Sequence, residues 1–248
     1  MLQFVPGVEL CREYYFEVVR PILNDAVPGL RYAAARIGGG SDVLGFDTEM
    51  SMDHDWGPRV QIFLAGSDES RYGAHILKYI SRNLPAEFRG IPTRYSLNSD
   101  ATRTADHVGC LEAVPLVETT TIARFFAEFL GVDIHTELQA TDWLTLPEQK
   151  LRAVTSGGVF HDDVGLQGMR DRFSYFPHDV WLLLLAAGWN RIGQEEHLMG
   201  RAGFVGDELG SVIIASRLVR DIMRLCFLME RQYAPYPKWF GTAHTGAP

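Results

Sequence analysis

After Thr120 the hydrophobic pattern of this chain changes period. Before that point the apolar residues come in short strand-like runs: RYAAARI (31–37), RVQIFLAG (59–66), and the weaker TRYSL (93–97) and EAVPLVE (112–118). Glycine, proline or polar turn residues bound the stronger runs. Pro115 interrupts the last one, which places it at a sheet edge, where a missing N–H costs least. Two helices are interleaved with these runs. Residues 8–23 carry Val8, Cys11, Tyr15, Val18, Val19 and Ile22 at helical spacing, and 72–83 put Ile76, Leu77 and Ile80 on one face. Beyond Thr120 the apolar positions recur every three to four residues. TTTIARFFAEFLG (119–131) has threonine caps and a terminal glycine, and Pro147 opens a further helix. The segment 179–197 is apolar nearly all round in its first half, so it is expected inside a bundle. The last long helix, 208–233, carries Val212, Ala215, Val219, Ile222, Cys226 and Met229 as its expected core stripe. The fold class expected is α+β: a mixed sheet with flanking helices over 1–135, then an all-helical bundle over 136–248.

Composition narrows what such a chain does. A net charge of −8 over 248 residues gives no basic face, so general nucleic-acid or anionic-membrane binding is not expected. Cys11, Cys110 and Cys226 are too scattered for a disulfide framework or a zinc site and are read as buried thiols. The N-terminus has no basic segment ahead of an apolar one, and VWLLLLAAG (180–188) is well short of the roughly 20 residues of a membrane span. A cytoplasmic protein, monomer or homodimer, is the expectation.

The window GGGSDVLGFDTEMSMDHDWGP (38–58) concentrates a glycine run, a serine and four aspartates. Gly39, Gly40 and Ser41 at the end of a strand expose backbone N–H groups and a hydroxyl that can hold phosphate oxygens. Asp53 and Asp55 are two residues apart, and in a strand that spacing puts both carboxylates on one face. Like charges so close call for a cation, and Mg²⁺ takes one or two carboxylates together with substrate phosphates. Asp42 joins Gly39–Ser41 among the candidate nucleotide-binding residues, although Asp42 and Asp47 also read as turn or cap residues of the loop. Trp56 serves equally as a base platform or as the end of the metal strand.

Gly40-Ser41, eleven intervening residues, then Asp53-x-Asp55 resembles the nucleotidyltransferase superfamily of polymerase-β-like and aminoglycoside-modifying enzymes. The same segment, together with GRAGFVGDELGSVIIASRLVRDIMRLCFLMERQYAPYPKWFGTA (200–243), is similar to an uncharacterised bacterial family of nucleotidyltransferase-like proteins, a domain of unknown function. The resemblance implies a nucleotidyltransferase-like domain followed by a helical domain, as in kanamycin-type nucleotidyltransferases. It also implies Mg²⁺, with ATP or another NTP as co-substrate. By that resemblance Gly40 and Ser41 hold phosphates, Asp53 and Asp55 bind the metal, and a third acid on a later strand completes the site. Glu118 is the choice for it, with Glu112 as runner-up. The reaction implied is transfer of a nucleoside monophosphate to a hydroxyl of a polar small-molecule or protein acceptor. A nucleotide-binding protein that has lost turnover is the alternative.

Four further groups stand out. Arg217 and Arg220, with Arg224, fall on one face of the last helix and form either an ion-paired solvent face or a wall that binds triphosphate. Lys238, inside YAPYPKWFGTA, is a catalytic candidate that reaches a phosphate or lowers the pKa of an attacking group, or else covers neighbouring rings with its stem. Arg191 and His197 resemble the Arg-x5-His of HEPN-type ribonucleases, a second function class. His161-Asp162-Asp163 reads as a polar turn rather than a second metal site.

Overall fold

The computed structural model describes residues 4–53, 56–97, 103–105 and 114–246. It divides into two compact units, Met1–Thr136 with Ala153–Phe173, and Glu137–Arg152 with Ser174–Pro248.

In the first unit α1 (Gly7–Tyr14) passes through a π-turn at Tyr15–Val19 into α2 (Arg20–Ala26). Pro21 explains the turn. It has no N–H to donate and its ring crowds the carbonyl four residues back, so the hydrogen-bond register widens just before it. β1 (Tyr32–Arg36) and β2 (Val60–Leu64) pair antiparallel, and α3 (Gly66–Asn83) follows. Two short sheets come next: β3 (Glu87–Phe88) with β4 (Ile91–Pro92), and β5 (Arg94–Leu97) between β6 (Arg103–Ala105) and β7 (Val114–Pro115). β8 (Val117–Thr120) then lies parallel to β2 at the edge of the main sheet, so the run 112–118, expected as one strand, is divided: Pro115 itself sits in β7, at the edge of the small sheet. α4 (Ile122–Leu130) is capped by Thr121 Oγ1, which accepts from the Arg124 N–H at 3.1 Å, and by left-handed Gly131.

Alternation along β2 decides what covers each face of the sheet. Val60, Ile62 and Leu64 join Leu10, Tyr14, Val19, Ile76 and Ile80 in the main core under α1–α3. Phe63 faces the other way and meets the Phe125 ring of α4 edge-on at 5.5 Å. Gln61 is on Phe63's face, in register with Ala35 of β1 and Glu118 of β8.

The expected boundary at residue 135 is corrected in one respect. After α5 (Ala140–Thr145) and α6 (Glu148–Thr155) the chain re-enters the first unit, where β9 (Gly158–Asp162) pairs antiparallel with β1. The sheet order is therefore β8-β2-β1-β9, and the chain after 136 is not all-helical. Gly157 makes the return possible: it has φ 74°, and a Cβ there would strike the Arg36 carbonyl. Arg170, in α7 (Leu166–Asp171), ties the return down by donating to the carbonyls of Val154, Thr155 and Ser156.

The second unit is dominated by a hairpin of α8 (His178–Phe204) and α9 (Glu208–Met229). Its tail, a 3₁₀ turn at Pro237–Trp239 and α10 (Phe240–Thr245), is ordered, with Tyr233 and Ala234 buried and Phe240 against Phe227 at 5.3 Å. The expectation of a buried bundle is corrected here. Leu182 and Leu183 are exposed, and the α9 stripe stands open: Val212 is 64% exposed, Val219 56%, Ile222 47% and Met229 49%. No described helix is long and apolar enough to cross a membrane.

Candidate functional site

The glycine loop leaves the end of β1, and two of its aspartates fasten it. Arg36 and Asp42 are 4% and 5% exposed, and they form a two-pronged pair, Nε to Oδ2 at 2.7 Å and Nη2 to Oδ1 at 2.8 Å. Nη2 also donates to the Gly39 carbonyl at 2.8 Å. Burial alone would lower the Arg36 pKa. The Asp42 charge and its hydrogen bonds outweigh that and raise it, with Glu118 adding to the effect. Gly40 has to be glycine: its φ is 139°, and a Cβ would run into Asp42 Oδ1 and Arg36 Nη2. Asp47 makes the second tie, its Oδ2 accepting from the Gly7 N–H at the start of α1 at 2.6 Å and from Trp56 Nε1 at 3.1 Å. The Gly38 N–H donates to the Ala153 carbonyl and Phe46 N–H to the Ser41 carbonyl. Gly39 and Gly40 are exposed, and among the described residues their N–H groups and that of Ser41 have no acceptor.

Beside this loop opens a cavity of about 500 Å³, lined by Gly38 and Gly39, by Arg59 and Gln61 of β2's edge, by Glu118 of β8, and by Phe125, Glu128 and Phe129 of α4, among others. The rings of Phe125 and Phe129 stack at 5.5 Å, and Phe125 lies over Gly38. Gln61 holds the loop's entry by accepting from the Ile37 N–H at 2.9 Å. The cavity thus joins backbone donors, two carboxylates, a guanidinium and an aromatic wall.

The structure brings together Gly39 and Glu118 among the sequence candidates, with Gly40 and Ser41 next along the same loop. Asp42 is removed from the ligand-binding set, because both its oxygens are spent on buried Arg36; it lies in the turn 41–45, as its reading as a turn residue has it. Trp56 is 6% exposed, hydrogen-bonded to Asp47 and stacked on Phe4 at 6.2 Å, which makes it a core residue and not a base platform. Asp53 ends a 3₁₀ turn at Glu49–Asp53, in which Ser51 N–H donates to the Thr48 carbonyl. The strand argument for a shared face fails there, since β2 begins only at Val60. The Asp53 side chain, all of His54 and Asp55, and Glu112 lie outside the described residues.

The helical candidates belong to the second unit. Arg217 pairs with Glu195, Arg224 with Glu148 at 3.4 Å, and Asp221 with Arg191 at 2.6 Å, the ion-paired arrangement weighed from sequence. Arg220 and Arg224 line a second cavity of about 490 Å³ with Glu148, Pro235 and Phe240. Lys238 is exposed, its Nζ 4.8 Å from the Trp239 ring centre. Arg191 and His197, six residues apart on α8, point about 120° away from each other. His161 and Asp162 close β9 and only Asp163 lies in the bend after it, so the polar-turn reading is corrected for the first two; Asp162 accepts N–H groups from Val164, Gly165, Leu166 and Gln167, and His161 pairs with Asp163 at 2.7 Å.

Sequence reasoning missed Arg36, Arg59, Glu128 and the Phe125–Phe129 wall. The legible signal for Arg36 is an arginine closing an otherwise apolar strand with an aspartate six residues on. Glu128 and the phenylalanines carry no signal apart from the fold, being ordinary residues of an amphipathic helix.

Among comparisons with known proteins, residues 143–240 match the model of a family described as a domain of unknown function (DUF4037). No curated protein and no solved structure matches this chain.

Proposed function

We propose that the protein transfers a nucleoside monophosphate from an NTP, ATP by default, to a hydroxyl of a polar small-molecule or protein acceptor. The observation that carries this reading is that the glycine turn and Glu118 open onto one cavity. The exposed N–H groups of Gly39, Gly40 and Ser41 are fixed donors for phosphate oxygens, already ordered by the Arg36–Asp42 tie. Arg59 adds positive charge on the neighbouring strand, and Phe125 and Phe129 offer a flat apolar wall to a base.

Among the described residues no three acids, histidines or cysteines cluster to hold a metal. Glu118 and Glu128 carry hard oxygen donors of the kind magnesium takes on the cavity wall, and Asp53 and Asp55 are the ligands proposed to complete the set. When bound, the ion would neutralise charge developing on the phosphates. Glu118 would accept the proton of the attacking hydroxyl, and the loop amides would hold the phosphate tail while the pyrophosphate oxygens gain charge.

The test is pyrophosphate release from NTP and Mg²⁺ with a library of polar acceptors. Release is expected from the intact protein. Asp53→Asn and Glu118→Gln should each lower it at least 100-fold while nucleotide binding persists in Glu118→Gln. A protein that neither binds NTP nor releases pyrophosphate, or one whose activity survives both substitutions, refutes the reading.

A further inference from the structure

α9 carries two apolar seams, and only one of them is occupied. Along the first, Ser211, Leu218, Asp221, Leu225 and Leu228 meet α8. Ser211 Oγ donates to the Met199 carbonyl at 3.0 Å, Asp221 pairs with Arg191, and Trp181 Nε1 donates to the Leu228 carbonyl at 2.7 Å. Gly188 leaves Leu225 room: its Cδ1 stands 3.1 Å from where a Cβ would be. Leu218 and Leu225 are buried accordingly. The second seam is Val212, Ala215, Val219, Ile222, Cys226 and Met229, whose intervals alternate three and four without a break. That is the 3.5-residue repeat of a helix packed lengthwise on another helix. It is displaced by one residue from the first seam, hence about 100° round the helix. A helix in a four-helix bundle has just such a pair of seams, one for each neighbour.

α8 is built likewise. One face holds Trp181, Gly188, Arg191 and Glu195 against α9, and the next holds Leu182, Ala186 and Trp189, all exposed, with Trp189 58% open. We propose that two copies of this chain join through these open seams, each supplying one hairpin to a four-helix bundle. A second copy is the fitting occupant because the two hairpins present the same pair of seams, which a two-fold axis matches to itself. The charges beside the occupied seam are already paired within the hairpin, Arg217 with Glu195 and Asp221 with Arg191, so they need no partner from a second copy. At roughly half exposure each, the open apolar side chains of the hairpin offer about 500 Å² per copy, matching the apolar share of the ~800 Å² per partner in a standard stable interface. This pairing stands independently of the nucleotidyl-transfer reading.

The experiment is sedimentation and light scattering of the full chain from about 1 to 100 µM, a span chosen around a micromolar Kd. Twice the chain mass of 27.8 kDa is expected. Val219→Glu with Ile222→Glu places charge in the seam at exposed positions, and should return the protein to monomer mass with Kd raised at least about 100-fold. Gln194→Lys, an exposed change away from the seam, should leave the dimer intact. Circular dichroism of the seam variant should keep wild-type helix content, which separates lost pairing from lost folding. Wild-type protein at monomer mass throughout, because the seam binds the rest of its own chain or another partner, overturns the proposal. So does a dimer that the seam substitutions leave unchanged.

Discussion

Removing the Asp42 charge should unfasten the loop that the rest of the site depends on. In Asp42→Asn the side chain keeps its shape and one acceptor oxygen, but the buried Arg36 guanidinium loses its counter-charge and one hydrogen bond, keeping also the Gly39 and Ile37 carbonyls, the latter at 3.4 Å. Breaking one side of a buried pair costs about 3–5 kcal/mol. The two remaining carbonyl acceptors put Asp42→Asn near the lower figure, about 3 kcal/mol. With a urea m-value of about 2 kcal/mol/M, the unfolding midpoint of the sheet unit moves down by about 1.5 M. Hydrogen exchange of the β1 and loop amides as a function of urea reads that unit directly. Replacing both partners, Arg36→Met with Asp42→Leu, removes the stranded charge and should recover more than half of the loss. If Asp42→Asn shifts the midpoint by less than about 0.3 M, or if the double replacement is worse than the single one, the pair does not hold the loop as argued.

Asp162 accepts four backbone N–H groups at the start of α7; burial pushes its carboxyl pKa up, but those hydrogen bonds outweigh it and the net shift is downward. A depressed folded-state pKa means the cap stabilises fully above the ordinary 3.8 and is lost as pH falls through the lower folded value. Asp162→Asn should therefore cost about 1 kcal/mol at pH 7, the modest size of a solvent-accessible cap, and the difference from wild type should shrink as pH falls below 3.8, read from urea midpoints across pH. Cys11 is fully buried, its thiol pushed up to about 11 chiefly by burial, and its Sγ donates to the Gly57 carbonyl at 3.6 Å. In native protein at pH 8 it should resist alkylation and react only once denaturant exposes it, as peptide mass mapping will show. Gly40→Ala should destabilise the loop by about 2 kcal/mol or more and weaken NTP binding, checked by thermal melting with and without nucleotide.

The sequence made the element types legible because their periods are strong. The runs 31–37 and 59–66, the Thr121-to-Gly131 helix and the two long helices all occur close to where periodicity put them. β9 was hidden by its own glycines: Gly157 and Gly158 look like a turn, and only the Arg36 carbonyl packed against Gly157 explains why no side chain is allowed there. The status of the α9 stripe was illegible for another reason. An apolar stripe shows that a helix face needs covering, and does not show whether the cover comes from the same chain. Glu118, which lines the cavity beside the loop, was singled out only because the resemblance calls for a third acid on a later strand. Arg59 and Glu128 were not, because charges flanking apolar segments are commonplace.

The four aspartates of the glycine window are not one set. Asp42 and Asp47 are turned inward, to a guanidinium and to the first N–H of α1, and each neutralises a positive partner that the fold itself supplies. That sorting matters for any anion at the turn. A free Asp42 carboxylate beside Gly40 and Ser41 would compete for their N–H groups and repel a phosphate approaching them. Bound to Arg36, it does neither, and the pair is held below the loop where water does not reach. On the proposed reading the N–H groups of Gly39, Gly40 and Ser41 are then left for an approaching anion, in a protein whose net charge is −8. If the turn binds phosphate as proposed, Arg36 is the residue that takes the nearest acid's charge out of its way.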